Sequence, residues 1–229
     1  GNTALLTAAE NDHEATCLAM LRHKRCAPKL LNTLDGDGMS LLHSAAQHDL
    51  HKLCRYLLDE PAFTQTEAVS LYLPLKGRTA LYQAADNGAS DACRVLLDHP
   101  RFTLVNTACH EESGRTALHA AASGGHTAAC RVLLDFDGFT AAGAREWQGR
   151  TALHLACEFG HGDTCRYLLS HNLLAPHLGA PDKRGYSALH VACGPIDFFE
   201  EDITDAKEWS HLRSGRREVV SALLDCTAM

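Results

Sequence analysis

Residues 149–157 read GRTALHLAC, and the same unit continues with CRYLL at residues 165–169. Similar phrases open at five other glycines: Gly1, Gly38, Gly77, Gly114 and Gly185. In five of the six units a cysteine stands sixteen residues after the glycine: Cys17, Cys54, Cys93, Cys130 and Cys165. The glycine-to-cysteine distance is constant, whereas the stretch leading to the next glycine varies in length. A fixed block followed by a variable one indicates a packed repeating unit followed by a surface loop.

The sequence pattern of each unit predicts two short helices. A Ser or Thr stands where its hydroxyl can cap the first helix: Thr3, Ser40, Thr79, Thr116, Thr151 and Ser187. Leu81, Ala84 and Ala85 are spaced to share one face of that helix. A glycine is then predicted to end it, at Gly88, Gly125, Gly160 and Gly215. Neither helix is long enough to be stable alone, so each unit must pack against its neighbours.

The units resemble ankyrin repeats. The phrase T-A-L-H-x-A is similar to the T-P-L-H-x-A of that family, and Gly-His at 125–126 and 160–161 also matches. Alanine or leucine replaces the proline of the family, and Leu6 and Tyr82 replace the motif histidine. The resemblance implies an all-α solenoid of stacked antiparallel helix pairs with projecting loops. Because several connecting segments are longer than is usual in the family, we expect those loops to be irregular.

We expect a single domain over residues 1–229. Its repeats are predicted at about 1–37, 38–76, 77–113, 114–148, 149–184 and 185–229. The chain opens at a repeat glycine without an initiator methionine, which suggests a fragment of a longer polypeptide.

The last repeat carries an insertion at about 194–214. The distance from Gly185 to Val220 is 35 residues instead of 16, and the added segment has a net charge of −4. Ile203, Trp209 and Leu212 lie at spacings that predict a short extra helix. Three interpretations stay open: a cap on the end of the stack, an acidic loop without fixed structure, and a docking element for a basic partner.

Charge and composition exclude several classes of function. The net charge is −7 and no basic run is present, so the sequence predicts no nucleic-acid binding. No apolar run reaches the ~18 residues of a membrane span, so we expect no membrane insertion. No phosphate-binding loop, nucleophile elbow or HExxH motif occurs, so we expect neither an enzyme nor a bound cofactor.

The ten cysteines and fifteen histidines are interpreted as structural. There is no C-x-x-C motif, and Val220 replaces the periodic cysteine in the last unit, which favours buried packing over a metal site. Many unpaired thiols indicate an intracellular protein, cytoplasmic or nuclear. The resemblance implies that the motif histidines hydrogen-bond the helix cap and nearby backbone: His43, His119, His154 and His190.

The resemblance also implies where a partner binds: a concave face formed by the loops and by exposed residues of the first helices. By register, that strip contains Asp37, Met39, Gln47, His48, Lys76, Arg78, Asp86, Asn87, Ser113, Arg115, Trp147, Gln148, Arg150, Glu158, Phe159, Lys183, Arg184 and Tyr186. Aromatic residues and arginine are favoured at interface hot spots. An arginine of the G-R-T phrase could instead cover its own helix end or pair with a loop carboxylate.

The sequence therefore predicts a non-catalytic module that binds a partner protein or peptide, with a monomer as the favoured state. Two alternatives stay open. The first is a regulatory or substrate-recruiting domain of a larger enzyme or channel. The second is a thiol- or metal-responsive module, which would need exposed cysteines.

Overall fold

The computed structural model describes residues 3–23, 28–71, 77–109, 114–194 and 206–227. Within these ranges the only β-structure is an isolated bridge between Leu34 and Ser40. No helix in the described part is both long enough and apolar enough to span a membrane. The fold is all-α, as predicted.

The described residues form thirteen α-helices and three short 3-10 helices. The α-helices are α1 Ala4–Glu10, α2 Glu14–Arg22, α3 Pro28–Leu31, α4 Leu41–Gln47, α5 His51–Asp59, α6 Ala80–Asp86, α7 Ser90–Asp98, α8 Ala117–Ser123, α9 Thr127–Leu134, α10 Ala152–Glu158, α11 Gly162–Ser170, α12 Ala188–Cys193 and α13 Ala206–Thr227. The 3-10 helices are Leu104–Asn106, Ala141–Gly143 and Asn172–His177.

The helices stack in two rows, which confirms the predicted solenoid. The first helices pack in the order α1, α4, α6, α8, α10 and α12, and the second helices in the order α2, α5, α7, α9, α11 and α13. The small residues Ala84, Ala85 and Ala121 are fully buried where the first helices meet. The five periodic cysteines are fully buried in the row of second helices. Burial of this continuous apolar seam is the main stabilising contribution to the stack.

The predicted caps are all found at the first helices: Thr3, Ser40, Thr79, Thr116, Thr151 and Ser187. Each motif histidine completes its cap. The backbone N–H of Ser40 donates to Nδ1 of His43 (3.2 Å), and that of Thr116 donates to Nδ1 of His119 (3.2 Å). Because a backbone N–H can only donate, Nδ1 is the acceptor and the proton of the neutral ring lies on Nε2.

The same histidines join one repeat to the next. Nε2 of His43 donates to the carbonyl oxygen of Arg78, and Nε2 of His119 to that of Arg150, both at 3.1 Å. Burial lowers the pKa of His43 and of His119 to about 4. The predicted structural role of these side chains is therefore what the geometry shows.

The glycines after the first helices have the expected left-handed backbone. Gly88, Gly125 and Gly160 have φ near +70° and end their helices as predicted. Asp12 and Asp49 adopt the same conformation in the first two units, with φ of 60° and 53°. Aspartate tolerates this region better than most residues, so the turn is kept without glycine there.

The prediction that Gly215 ends a helix is wrong. Gly215 lies inside the continuous helix α13, and so do the positions of Trp209 and Leu212, which were assigned to a separate short helix. A Cβ atom at Gly215 would clash with the carbonyl oxygen of Gly160. Glycine is therefore present because the backbones approach closely. Residues 195–205 of the insertion lie outside the described part, so its role as cap, loop or docking element stays a prediction.

The turns that lead into the second, fifth and sixth repeats are more regular than the sequence predicted. In each of these three an acidic residue stands three positions before the repeat glycine: Asp35, Glu146 and Asp182. The backbone N–H of Asp182 donates to the carbonyl oxygen of Tyr186 (2.8 Å), and its Oδ1 accepts from the N–H of Tyr186 (2.8 Å). Side chains that bind the turn backbone in this way fix a tight loop without requiring a sheet.

Candidate partner-binding strip

The predicted strip lies on the turns before the first helices and on the ends of those helices. We use "the strip" for the described members of the predicted set. Lys76 and Ser113 belong to that set but lie outside the described residues. In the second, third and fifth repeats the strip combines residues of the turn with residues at the end of the first helix, and in the fourth and sixth repeats its described members lie on the turn alone.

The arginine of the third repeat is bound to its own helix. Nη1 of Arg78 donates to Oδ2 of Asp86 (2.8 Å), and its guanidinium carbon lies 4.9 Å from the ring centroid of Tyr82. Burial raises the pKa of Tyr82 to about 12, and the Arg78 charge opposes that increase. Arg78 and Asp86 are thus brought together by the fold. Asn87, the next residue, is exposed at the end of α6.

The arginine of the fifth repeat is more deeply buried, with a side-chain exposure of 12%. Nε of Arg150 donates to Oε1 of Glu146 (3.1 Å), and Nη1 donates to Oε2 of Glu158 (2.6 Å). Burial raises the pKa of Glu158, and the Arg150 charge counteracts this. Removing one member of such a buried pair leaves the other charge uncompensated.

Glu146 anchors this loop. Its Oε1 accepts from the backbone N–H of Gln148 (2.8 Å), while Oε2 has no hydrogen-bond partner among the described residues. The strip predicted from sequence omitted Glu146. Glu146 could have been identified from its position three residues before a repeat glycine, which it shares with Asp35 and Asp182.

Arg115, in the fourth repeat, lies between these two ion pairs. Its carbonyl oxygen accepts from the backbone N–H of Cys109 (2.7 Å), and its side chain is half-buried. Its positive charge opposes the increase in pKa that burial causes at Tyr82 of the preceding repeat and at Glu158 of the next. Arg78 pairs with a carboxylate of its own repeat, whereas Arg150 pairs with Glu158 of its own repeat and with Glu146 at the end of the preceding one. Contact of the three arginines with a partner stays a prediction.

The aromatic part of the strip is exposed. The side chains of Trp147 and Tyr186 are 53% and 48% exposed. Phe159 is half-buried, with its ring stacked 6.3 Å from that of His161. About half of the surface of Trp147 is therefore in water, on a turn whose backbone is fixed by other residues.

The turns that carry these rings are joined to each other. The backbone N–H of Lys183 donates to the carbonyl oxygen of Gln148 (2.8 Å), which ties the turn of the sixth repeat to that of the fifth. Lys183 and Arg184 are exposed beside Tyr186. This end of the strip therefore presents aromatic rings and cations on a rigid backbone.

The described cysteines and histidines form no chemical centre. Eight cysteines are free, and of these only Cys193 is exposed. Burial raises the pKa of Cys93 and of Cys130 to about 12. In the described ranges no group of three His, Cys, Asp or Glu side chains could hold a metal ion. Buried thiols of raised pKa are chemically inert, which disfavours the thiol-responsive alternative.

Comparison with protein families gives a match to a model of three ankyrin repeats. It matches in three overlapping segments, residues 63–142, 101–175 and 140–200. No curated protein sequence matches the chain.

Solved structures with a similar fold include three that cover nearly the whole chain. The first is a chain from the structure of the predatory endopeptidase Bd0816 of Bdellovibrio bacteriovorus in complex with immunity protein Bd3460: TM-score 0.67, 20% identity, and 98% of each chain covered. The second is the ankyrin repeat protein EF0377: TM-score 0.66, 18% identity, and 96% of each chain covered. The third is the ankyrin repeat domain of Bcl-3, a member of the IkappaB family: TM-score 0.70, 21% identity, covering 99% of this chain and 86% of that one. Likenesses at this level of identity establish the fold.

Proposed function

The chain belongs to the ankyrin repeat family, and we propose that it is a non-catalytic module that binds a partner protein or peptide along the strip. Ankyrin repeats are protein–protein interaction modules. The observation that carries the proposal for this strip is the exposure of Trp147 and Tyr186 on turns that are fixed by other residues. Large aromatic side chains with few rotatable bonds contribute strongly to binding at low entropic cost.

The mechanism is rigid display. The turn of the fifth repeat is held by Glu146 and Arg150, and the turn of the sixth by Asp182. Because these contacts form within the folded chain, little order has to be created when a partner binds. Ion pairs such as Arg150–Glu158 then stabilise the turns that carry the exposed rings. The two charges of such a pair largely compensate each other.

We infer one domain over residues 1–229 built from six repeats, an intracellular location in cytoplasm or nucleus, and a monomeric state. The solved complex containing an immunity protein shows that a chain of similar fold occurs in a protein–protein assembly. That supports a protein as the class of partner.

Site-specific photo-crosslinking tests the strip. A benzophenone amino acid replaces Trp147 in one variant and Tyr186 in a second. In a matched control it replaces Arg94, an exposed residue of α7 in the row of second helices. We expect the same partner to be crosslinked from positions 147 and 186 of the folded chain and not from position 94. Crosslinking from position 94 alone would place the interface on the opposite row and contradict the proposal.

A further inference from the structure

The turns of the fifth and sixth repeats are basic, although the chain as a whole is acidic. Residues 145–150 and 181–186 contain four basic residues against two acidic ones, a net charge of +2 in a chain of net charge −7. The basic residues are Arg145, Arg150, Lys183 and Arg184, and the acidic ones are Glu146 and Asp182. Because a backbone hydrogen bond joins Lys183 to Gln148, these charges lie together at one end of the strip.

The two acidic residues are bound within the turns. Oε1 of Glu146 accepts from Nε of Arg150 (3.1 Å), and the side chain of Glu146 has no exposed surface. Oδ1 of Asp182 accepts from the backbone N–H of Arg184 and of Tyr186, both at 2.8 Å, and the Asp182 side chain is half-buried. The exposed charges of these turns are therefore mainly the basic ones.

Lys183 is exposed, and its ammonium group makes no hydrogen bond or ion pair with another described residue. Its aliphatic stem lies beside Gly149, since a Cβ atom built on that glycine would be 3.2 Å from Cγ of Lys183. Lys183 and Trp147 hold the same position in successive turns, one residue after the acidic residue and two before the repeat glycine. Packed helices lie about 8–10 Å apart, so one short segment can contact both the ammonium group and the indole ring.

Arg145 places a second cation beside the same glycine. Its Nε donates to the carbonyl oxygen of Gly149 (2.9 Å), and its Nη2 donates to the carbonyl oxygen of Pro181. These two bonds hold the guanidinium group between the fifth turn and the segment that leads into the sixth. Within the described part of the chain no carboxylate pairs with Arg145, which is exposed. Its charge and its other N–H donors therefore stay available to a partner.

We propose that this end of the strip binds an acidic segment of the partner protein. A carboxylate of that segment contacts Lys183 and Arg145, and an apolar neighbour packs against Trp147 and Tyr186. The inference rests on the proposed function, because it specifies the chemistry of the partner along the same strip. A carboxylate is matched to this site because it accepts charge-assisted hydrogen bonds from both ammonium and guanidinium groups.

Other anionic partners fit these turns less well. Phosphorylated segments are recognised by clusters of arginines. Arg145 already uses two of its donors on backbone carbonyls, and Arg150 is bound to Glu146. Nucleic acid requires a row of phosphate-neutralising cations, whereas the net charge of this chain is −7. The site therefore favours a carboxylate next to an apolar side chain.

Titration of the isotope-labelled chain with the peptide acetyl-Glu-Leu-Glu-Leu-Glu-amide, followed by NMR, tests the site directly. The expected result is saturable shifts at the indole N–H of Trp147 and at the backbone amides of Lys183 and Tyr186. The same peptide with glutamine in place of glutamate should produce no saturable shift, and a version with phosphoserine should bind no more tightly. Absence of saturation with the glutamate peptide, equal saturation with the glutamine peptide, or tighter binding of the phosphoserine peptide would overturn the inference.

Variants locate the binding. Lys183→Gln should weaken binding of the glutamate peptide by about two- to fivefold, the range of an exposed ion pair. Lys52→Gln is the matched control, because Lys52 is an exposed lysine of α5 in the row of second helices, and it should leave binding unchanged. Unchanged affinity of the Lys183 variant, or an equal loss in the Lys52 variant, would contradict the assignment.

The partner distinguishes this inference from the proposed function. A partner lost by the Trp147→Ala/Tyr186→Ala variant but retained in full by Lys183→Glu would keep the proposed function and overturn the acidic segment. Binding of the glutamate peptide at these turns, together with a partner that ignores both aromatic substitutions, would overturn the proposed function and the assignment of this site to that partner.

Discussion

The guanidinium group of Arg216 donates two hydrogen bonds to the carbonyl oxygen of Glu158, from Nε at 3.3 Å and from Nη2 at 3.1 Å. In earlier repeats a histidine makes the corresponding contact: Nε2 of His126 donates to the carbonyl of Asp86 (3.1 Å), and that of His161 to Ser123 (2.8 Å). Arg216 thus binds the end of a first helix across a repeat boundary, as the histidines do. Its Nη1 also donates to the carbonyl oxygen of Gly194 (3.1 Å).

Replacement of Arg216 should weaken the attachment of α13. Arg216→Ala removes the donors to two partly buried carbonyls, and we expect the free energy of unfolding to fall by about 1–3 kcal/mol. Urea unfolding followed by circular dichroism measures the change. Arg217→Ala is the matched control, because Arg217 is exposed on the same helix, and it should change stability by less than about 0.5 kcal/mol. Equal effects of the two substitutions would show that the carbonyl contacts contribute nothing.

Gly215→Ala gives a prediction in which two effects have opposite signs. Alanine is favoured over glycine inside a helix by about 1 kcal/mol. The Cβ of alanine, however, would clash with the carbonyl oxygen of Gly160, so the backbone has to move. We expect a net loss of about 1–3 kcal/mol in the free energy of unfolding.

Gly179→Ala is the control for that experiment, since a Cβ at Gly179 meets no atom within 4 Å. It should leave the unfolding free energy within about 0.5 kcal/mol of the parent. A stabilised Gly215→Ala chain would mean that α13 does not approach Gly160 closely.

The motif histidines predict a dependence of stability on pH. Burial lowers the pKa of His43 and His119 from 6.5 to about 4, so the unfolded chain binds more protons between these values. Their contribution is fully present above pH 6.5 and is lost as the pH falls toward 4. At pH 5 the loss is about 2 kcal/mol for each histidine, measured as the free energy of unfolding.

His119→Gln is the control for the pH dependence. Glutamine can still hydrogen-bond but does not titrate, so the variant should lose less stability than the parent between pH 6.5 and 5. The carboxylates titrate equally in both chains and cancel in the comparison. Identical slopes for the two chains would show that His119 is not held neutral by burial.

Cysteine labelling tests the structural interpretation of the thiols. In a chain with Cys26→Ser and Cys226→Ser, eight cysteines remain, of which Cys193 is exposed and seven are buried. We expect one thiol to react rapidly with an aromatic disulfide reagent under native conditions, and eight in denaturant. Rapid reaction of several thiols in the folded chain would support the thiol-responsive alternative.

Much of this architecture follows from local chemistry. The caps at Thr116 and Thr151 were predictable because a capping hydroxyl acts on amides two or three residues away. The left-handed turns at Gly88 and Gly125 were predictable for the same reason, since they end the helix in which they occur.

Features that depend on distant contacts were not predictable. Gly215 was assigned to a helix end because its close approach to Gly160, 55 positions earlier, leaves no local signal. Pairing of Arg150 with a carboxylate was an open alternative, but its burial between Glu146 and Glu158 was visible only in the fold.

Trp147→Ala separates binding from stability. Because its side chain is half exposed, the free energy of unfolding should change by less than about 0.5 kcal/mol. Leu118→Ala, at a fully buried position, should lower it by about 2–5 kcal/mol. A loss for Trp147→Ala as large as that for Leu118→Ala would make Trp147 a core residue.

The most direct test of the strip is affinity capture from a matched lysate with three forms of the chain. They are the parent, the Trp147→Ala/Tyr186→Ala variant, and an Arg55→Ala/Arg94→Ala control with substitutions on exposed positions of the second helices. We predict that a partner is retained by the parent and the control and is lost by the aromatic variant. Retention of the same partner by the aromatic variant, with loss from the control, would contradict the account.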